Sequence, residues 1–204
     1  MRSMVYIGLK QKVPIKPQMY SYSCGPAIAS TLLKMLDFNV SEKRILKEMG
    51  MQKNVLANDL DFPSSRIEEA LYRFSNNQIT ILDHSIENTT DIRLELPKIL
   101  NDGRIPYCSL KRWALGQDSE VSHWFIIVGI DENKIEVYDC NFLRRHTQPK
   151  YEILIGMFYN GLTAHPGYYV KRKFPNFYQN YINGEYKRKK GLFFVNASIK
   201  SAGV

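Results

Sequence analysis

Cysteine is scarce in this chain: 204 residues contain three, with no short regular spacing. That scarcity excludes a disulfide framework and a zinc knuckle. It also favours a reducing compartment, so the expectation is a cytoplasmic protein, with export as a mature chain left open. Long apolar runs are missing. Nothing approaches the roughly 20 residues that span a bilayer, and Met1 to Pro14 has no apolar stretch of signal-peptide length. Internal repeats and low-complexity segments are absent too. Aromatics make up 12% of the chain, which argues against disorder, and the length suits one domain with a sizeable core.

Acidic residues are too few to balance the basic ones, and the net charge is +8. The excess is local. Residues 165–204 contribute +7 and residues 1–164 only +1. The basic character therefore belongs to the tail and says nothing about the first three-quarters.

The most informative residue present is Cys24. Ser23-Cys24-Gly25-Pro26 opens an amphipathic pattern in which Ile28, Leu32 and Leu36 recur every four residues. Ser23 is the expected cap, and Gly25 and Pro26 suit a first turn. Cys24 would then sit among unpaired backbone N–H groups at the positive end of a helix dipole. That setting favours the nucleophilic thiolate and supplies a donor for an oxyanion.

Along the chain, Val5–Leu9 reads as a short strand and Lys10–Tyr22 as an irregular lead-in. The Cys24 helix runs to about Leu36, and Ser41 caps a second helix to Met49. Leu56–Pro63 reads as a loop, and Ser64 or Ser65 caps a third helix to about Phe74. Gln78–Leu82 is an expected strand, and Asp91–Leu100 an expected helix despite Pro97. Strands follow at Ile105–Leu110, Trp124–Ile130 and Ile135–Asp139, the last two joined by Asp131-Glu132-Asn133. Helices first and antiparallel strands after them give an α+β class.

A cysteine nucleophile needs a base, and the base an orienting group. Of four histidines, His123 opens the strongly apolar strand Trp124-Phe125-Ile126-Ile127-Val128. In Ile135-Glu136-Val137-Tyr138-Asp139, alternation carries Asp139 inward with Ile135 and Val137. An inward carboxylate is costly without a partner, and the hairpin returns it to the neighbourhood of His123. Gln18, six residues before Cys24, is the fourth candidate, an amide able to donate to an oxyanion. Each residue alone has a plainer reading. A lone cysteine is usually a small buried hydrophobe, as Cys108 and Cys140 are taken to be. A lone histidine or aspartate at a strand end is usually structural. Only the joint pattern points to chemistry.

That joint pattern resembles a known family. V-P-I-K-P-Q-M-Y-S-Y-S-C-G-P-A-I-A-S-T-L-L-K-M-L is similar to the start of the bacteriocin-processing, double-glycine-type leader peptidases. These are papain-like cysteine peptidases that occur fused to ABC exporters and as free-standing domains. S-H-W-F-I-I-V-G-I-D-E-N-K-I-E-V-Y-D resembles the second half of the motif, including the interval between His and Asp. Phe62-Pro63-Ser64-Ser65 is more loosely similar to a groove-lining loop. The resemblance implies Cys24 as nucleophile, His123 as general base and acid, Asp139 as its orienter and Gln18 as oxyanion donor. It covers about residues 12–145. Departures are Cys140 where the family usually has proline after the aspartate, and Leu56–Asp61 where it has a Gly-Thr-rich loop. No transmembrane or ATP-binding part follows, so a free-standing domain is expected.

The tail interleaves charge with rings, from Tyr168 through Lys171-Arg172-Lys173 and Phe174 to Lys187-Arg188-Lys189-Lys190. A final hairpin packed on the domain is the plain reading. An acidic partner or peptide is the next, and nucleic acid or a membrane surface is the least favoured.

The sequence reading is thus a single papain-like α+β domain over residues 1–204, with a family-like core at 12–145 and a basic aromatic extension at 150–204. The leading function is a thiol peptidase acting on a peptide or protein, with no metal or organic cofactor. The alternatives are an acyltransferase, transpeptidase or deamidase using the same residues, and a non-catalytic peptide- or nucleic-acid-binding module.

Overall fold

The computed structural model describes residues 6–49, 64–86, 88–117, 122–142, 149–162 and 190–196. The expected loop Leu56–Pro63, His146, His165 and the tail from Tyr168 to Lys189 lie outside these residues.

After the short strand β1 (Ile7–Gly8) come the helices α1 (Cys24–Met35), α2 (Glu42–Glu48) and α3 (Ser64–Phe74). Strand β2 (Thr80–Ile86) and helix α4 (Thr89–Asn101) follow. Strands β3 (Ile105–Lys111), β4 (Ser122–Ile130), β5 (Lys134–Asp139) and β6 (Lys150–Leu154) come next, then helix α5 (Ile155–Gly161) and strand β7 (Lys190–Asn196). The fold is α+β, as the order of patterns implies.

Local sequence explains the helix ends. The hydroxyl of Ser41 accepts the Arg44 N–H at 3.2 Å and caps α2. Asn88 and Asp91 form a reciprocal capping box, so α4 begins two residues before the expected Asp91. Two helices stop in the same hydrogen-bonded turn. After α1, Phe38 and Asp37 donate back to Leu33 and Lys34, with Asp37 at φ 66°. After α4, Arg104 and Gly103 donate back to Ile99 and Leu100, with Gly103 at φ 74°. Glycine takes this left-handed conformation without penalty and aspartate tolerates it.

The seven strands form one antiparallel sheet in the order β2-β7-β3-β4-β5-β6. Strand β1 lies beside the far end of β4, with Ile7 opposite Ile130. Both faces of the sheet are covered. On one, α1, α2 and α3 bury Ile28, Leu32, Ile45, Ile67 and Leu71 against Tyr107, Trp124, Ile126, Val128 and Tyr138. On the other, α4 and α5 bury Leu96, Leu100, Ile155 and Phe158 against Phe125, Ile127, Ile135, Val137 and Ile153. Two covered faces explain why β3 and β4 are nearly continuous apolar runs rather than alternating ones.

Of the tail, in which a final hairpin is expected, the described residues include only 190–196. Lys190–Asn196 is a single strand inserted inside the sheet. It pairs with β2 along its whole length and with β3 at Ile105–Tyr107. Strand β6 and helix α5 also escape the sequence reading. β6 is only five residues long, and its in-out alternation is obscured in the sequence because the apolar Leu154 falls on the exposed side with Lys150 and Glu152.

The interior position of β7 has a measurable consequence. Val195 faces Ile81 on one neighbour and Ile105 on the other. Val195→Pro should remove a ladder donor within the sheet and cost about 1–3 kcal/mol. The urea midpoint should fall accordingly, and an unchanged midpoint would contradict this placement.

Candidate active site

Cys24 is the first residue of α1 and is half-buried. The preceding loop has no regular structure but is tightly held. The Gln18 N–H donates to the Cys140 carbonyl at 2.7 Å. The Met19 N–H lies 2.9 and 3.0 Å from the two carboxylate oxygens of Glu42. Glu42, buried in the first turn of α2, also accepts the Ser23 hydroxyl. Ser23 Oγ in turn accepts the Tyr20 N–H at 3.0 Å.

These bonds correct one expectation. Ser23 precedes α1 but makes no side-chain cap. Its hydroxyl donates to the Glu42 carboxylate, and its oxygen accepts the Tyr20 N–H of the loop rather than an N–H of the helix. The helix start at Cys24 is therefore left without a side-chain cap, and its N–H groups keep their positive character.

His123 is the second residue of β4 and is 2% exposed. Its Nε2 lies 2.6 Å from Asp139 Oδ1. The imidazole stands edge-on to Phe125, with ring centroids 4.8 Å apart. Its remaining nitrogen, Nδ1, is the one available for the hydrogen bond it shares with Cys24. Asp139 is the last residue of β5 and is fully buried, as are Ile135 and Val137 on the same strand face. Asp139 Oδ1 also accepts the Asn141 N–H at 2.7 Å. Asp139 Oδ2 is buried and takes no hydrogen bond among the described residues.

The register of the hairpin brings these groups together. Ile130 pairs with Ile135 and Gly129 with Glu136, but beyond an irregularity at Val128 the pairs are Ile127 with Val137 and Phe125 with Asp139. One extra residue on β4 has been absorbed as a bulge. Opposed residues share a face, so Asp139 lies on the face of Phe125 and hence of His123. Without the bulge Asp139 would oppose Ile126, and His123 would point to the other layer.

The charges follow from this packing. Burial by itself pushes the Cys24 thiol up, but the His123 imidazole, the Trp124 N–H and the Arg112 guanidinium together bring it below its ordinary value. Burial opposes the His123 cation, and Asp139 and Cys24 outweigh it, so the imidazole is raised. Burial likewise opposes the Asp139 anion, and His123 first, then the Asn141 N–H and Arg112, hold it below the usual carboxylate range. Such an arrangement favours a thiolate–imidazolium pair oriented by a carboxylate. Cys108 and Cys140 differ: burial drives both thiols well up.

Gln18 is also buried, 3% exposed. Its amide Nε2 donates to the Tyr20 carbonyl at 2.5 Å, and its Oε1 accepts the Cys140 thiol at 3.4 Å. The four residues selected from the sequence thus fall at one end of the sheet, with Gln18 joined to the rest through Cys140. Three participants were not anticipated. Glu42 carries no sequence expectation of its own, and Cys140 is expected only as a small hydrophobe. Arg112, in the single-turn helix after β3, is 3% exposed. A basic residue immediately following an apolar strand carries no signal of burial.

His123, Asp139 and Cys140 offer ligand atoms within 4.8 Å of one another, close enough to hold a metal ion. The donors are already committed, however. The imidazole and carboxylate bond each other, and the Cys140 thiol keeps its proton.

No family model and no curated protein matches the sequence. Among solved structures, the fold is similar to a putative C39-like peptidase from Bacillus anthracis. The TM-score is 0.55 at 10% identity, covering 93% of this chain and 98% of that one. It is also similar to the peptidase domain of Streptococcus ComA, a bi-functional ABC transporter involved in quorum sensing. There the TM-score is 0.52 at 12% identity, covering 90% and 98%. The chain therefore has the papain-like fold of C39 peptidase domains. No helix among the described residues is long and apolar enough to cross a membrane.

The charge pattern sets an expected pH dependence. Alkylation of Cys24 by iodoacetamide should remain fast below the ordinary thiol range near 8.5 and fall only as pH drops through its lowered pKa. His123→Ala should move that midpoint upward, because it removes the cation and leaves burial. Cys108 and Cys140 should react far more slowly near neutral pH. Equal rates at all three cysteines, read by mass spectrometry, would contradict an activated Cys24.

Proposed function

We propose that this chain is a thiol peptidase whose reacting groups are Cys24, His123, Asp139 and Gln18. The observation that supports this reading is the buried His123–Asp139 hydrogen bond of 2.6 Å beside a half-buried Cys24 at an uncapped helix start, with the thiol drawn down by the imidazole. The Cys24 thiolate attacks a peptide carbonyl. The oxyanion takes hydrogen bonds from the Cys24 N–H and the Gln18 amide. The His123 imidazolium protonates the leaving amine as the tetrahedral intermediate collapses to a thioester. His123, now neutral, takes a proton from water, which attacks the thioester and releases the acid and the Cys24 thiolate. Asp139 holds the imidazole in the tautomer with Nε2 protonated and stabilises its cation. A reducing, cytoplasmic setting suits a site that depends on a free thiol.

The test is cleavage of a diverse peptide library, followed by mass spectrometry. Cys24→Ala should abolish cleavage. Asp139→Asn should lower kcat on the order of 10²–10⁴-fold with the fold intact. Gln18→Ala should lower it about 10²–10³-fold. Addition of a primary amine distinguishes hydrolysis from acyl transfer. Amide products in place of acids would turn the reading to an acyltransferase, and absence of any thioester-dependent product would turn it to a binding module.

The basic tail belongs to this proposal as a contact for an acidic partner or substrate. Exposed charge steers encounter and is screened by salt. Neutralising Lys187, Arg188, Lys189 and Lys190 together should weaken binding most at low salt and leave Cys24 alkylation unchanged. Binding equal to that of the unaltered protein across the salt range would remove the tail from the reading.

A further inference from the structure

A primary amide is a poor compass. Its oxygen and its NH2 group are nearly the same size, so packing alone does not decide which end points where. Only hydrogen-bond partners decide, and Gln18 has two that agree. The Tyr20 carbonyl can only accept, so it takes Nε2 at 2.5 Å. At the other end Cys140 Sγ lies 3.4 Å from Oε1 and 3.8 Å from the Cys24 carbonyl, between the loop and the start of α1. The backbone closes the clamp, with the Gln18 N–H on the Cys140 carbonyl at 2.7 Å.

We infer that Cys140 is a positioning residue for the proposed reaction: its thiol donates to Gln18 Oε1 and fixes the amide with its NH2 group presented for the oxyanion. The inference rests on the peptidase reading for its kinetic consequence, but not for the hydrogen bond itself. A donor must keep its proton, and here it does. Burial first, then the negative charges of Cys24, Asp139 and Glu42, hold the Cys140 thiol well above its ordinary range. Two cysteines close together thus divide the labour. Cys24 gives up its proton to react, and Cys140 keeps its proton to orient. A flipped amide would set Oε1 against the Tyr20 carbonyl, two acceptors with no proton between them.

The experiment is a double-mutant cycle with an activity-independent arm. Cys140→Ala should lower kcat about 5–10-fold, the worth of one neutral hydrogen bond, with KM nearly unchanged. The Cys24 alkylation profile should stay within about twofold, since its activation comes from His123. Cys140→Ser keeps a donor and should restore most of kcat. In a Gln18→Ala background, Cys140→Ala should cost nothing more, because the group it orients is gone. Multiplicative losses, or loss of kcat in Cys140→Ser equal to that in Cys140→Ala with an intact melting transition, would overturn the assignment. The second arm uses protein labelled with 15N-glutamine. The Gln18 side-chain NH2 should be slow to exchange in the unaltered protein and faster in Cys140→Ala and, to a smaller degree, in Cys140→Ser. Equal protection in all three would overturn the assignment. Should the unaltered protein cleave no peptide, the peptidase reading fails while the amide measurement still decides what Cys140 does to Gln18.

Discussion

One extra residue in a strand governs the site. The bulge at Val128 changes which residue of β5 faces which residue of β4. A carboxylate and an imidazole that would otherwise belong to opposite layers come to share a face. Their mutual hydrogen bond then offsets the cost of burying both in a sheet covered on its two sides. The charge pattern at Cys24 depends on that pairing, since an imidazole raised by Asp139 is what draws the thiol down against burial. The bulge is supported locally. Gly129 follows it directly beneath the Tyr6 ring, where an added Cβ would lie 2.1 Å from the Tyr6 hydroxyl. Tyr6 is held there by its bond to Glu136 at 2.6 Å.

A second set of contacts fixes the lead-in loop, and it is polar rather than apolar. Glu42 gathers the Met19 N–H and the Ser23 hydroxyl, and the Cys140 backbone and thiol hold Gln18. Loops seldom maintain side-chain geometry as well as strands do. This one is bonded at Gln18, Met19, Tyr20 and Ser23 in succession, which gives it a rigidity its lack of regular structure does not suggest. The cost is that Ser23 gives up its capping role.

Much of the fold and site was legible because local rules and global packing agree there. Cys24 was visible from the helix that follows it, and Asp139 from its alternation with Ile135 and Val137. The α+β order followed from where periodicity changes. What stayed hidden has a common physical cause: it depends on long-range pairing. Lys190–Asn196 reads as the end of a basic tail, because nothing local tells a strand that its two neighbours lie about a hundred residues upstream. Glu42, Arg112 and Cys140 act through what folds against them, and their own flanking residues are unremarkable. The lone Gly129 within a strand pattern was the one available sign of the bulge.

The interior place of β7 also bears on how the chain is made. A ribosome delivers residues in order, at about 5–20 per second. Strands β2 and β3 emerge long before the strand that separates them. Through that interval both present unsatisfied ladder edges to solvent, edges that invite pairing with the wrong partner. The helices α1, α2 and α3 can assemble early, since their contacts are closer in sequence. The sheet that carries His123 and Asp139 is completed only when Lys190–Asn196 arrives. A nascent chain would therefore carry Cys24 at its helix start before its architecture is closed, and the final docking of β7 would set when the folded molecule first exists.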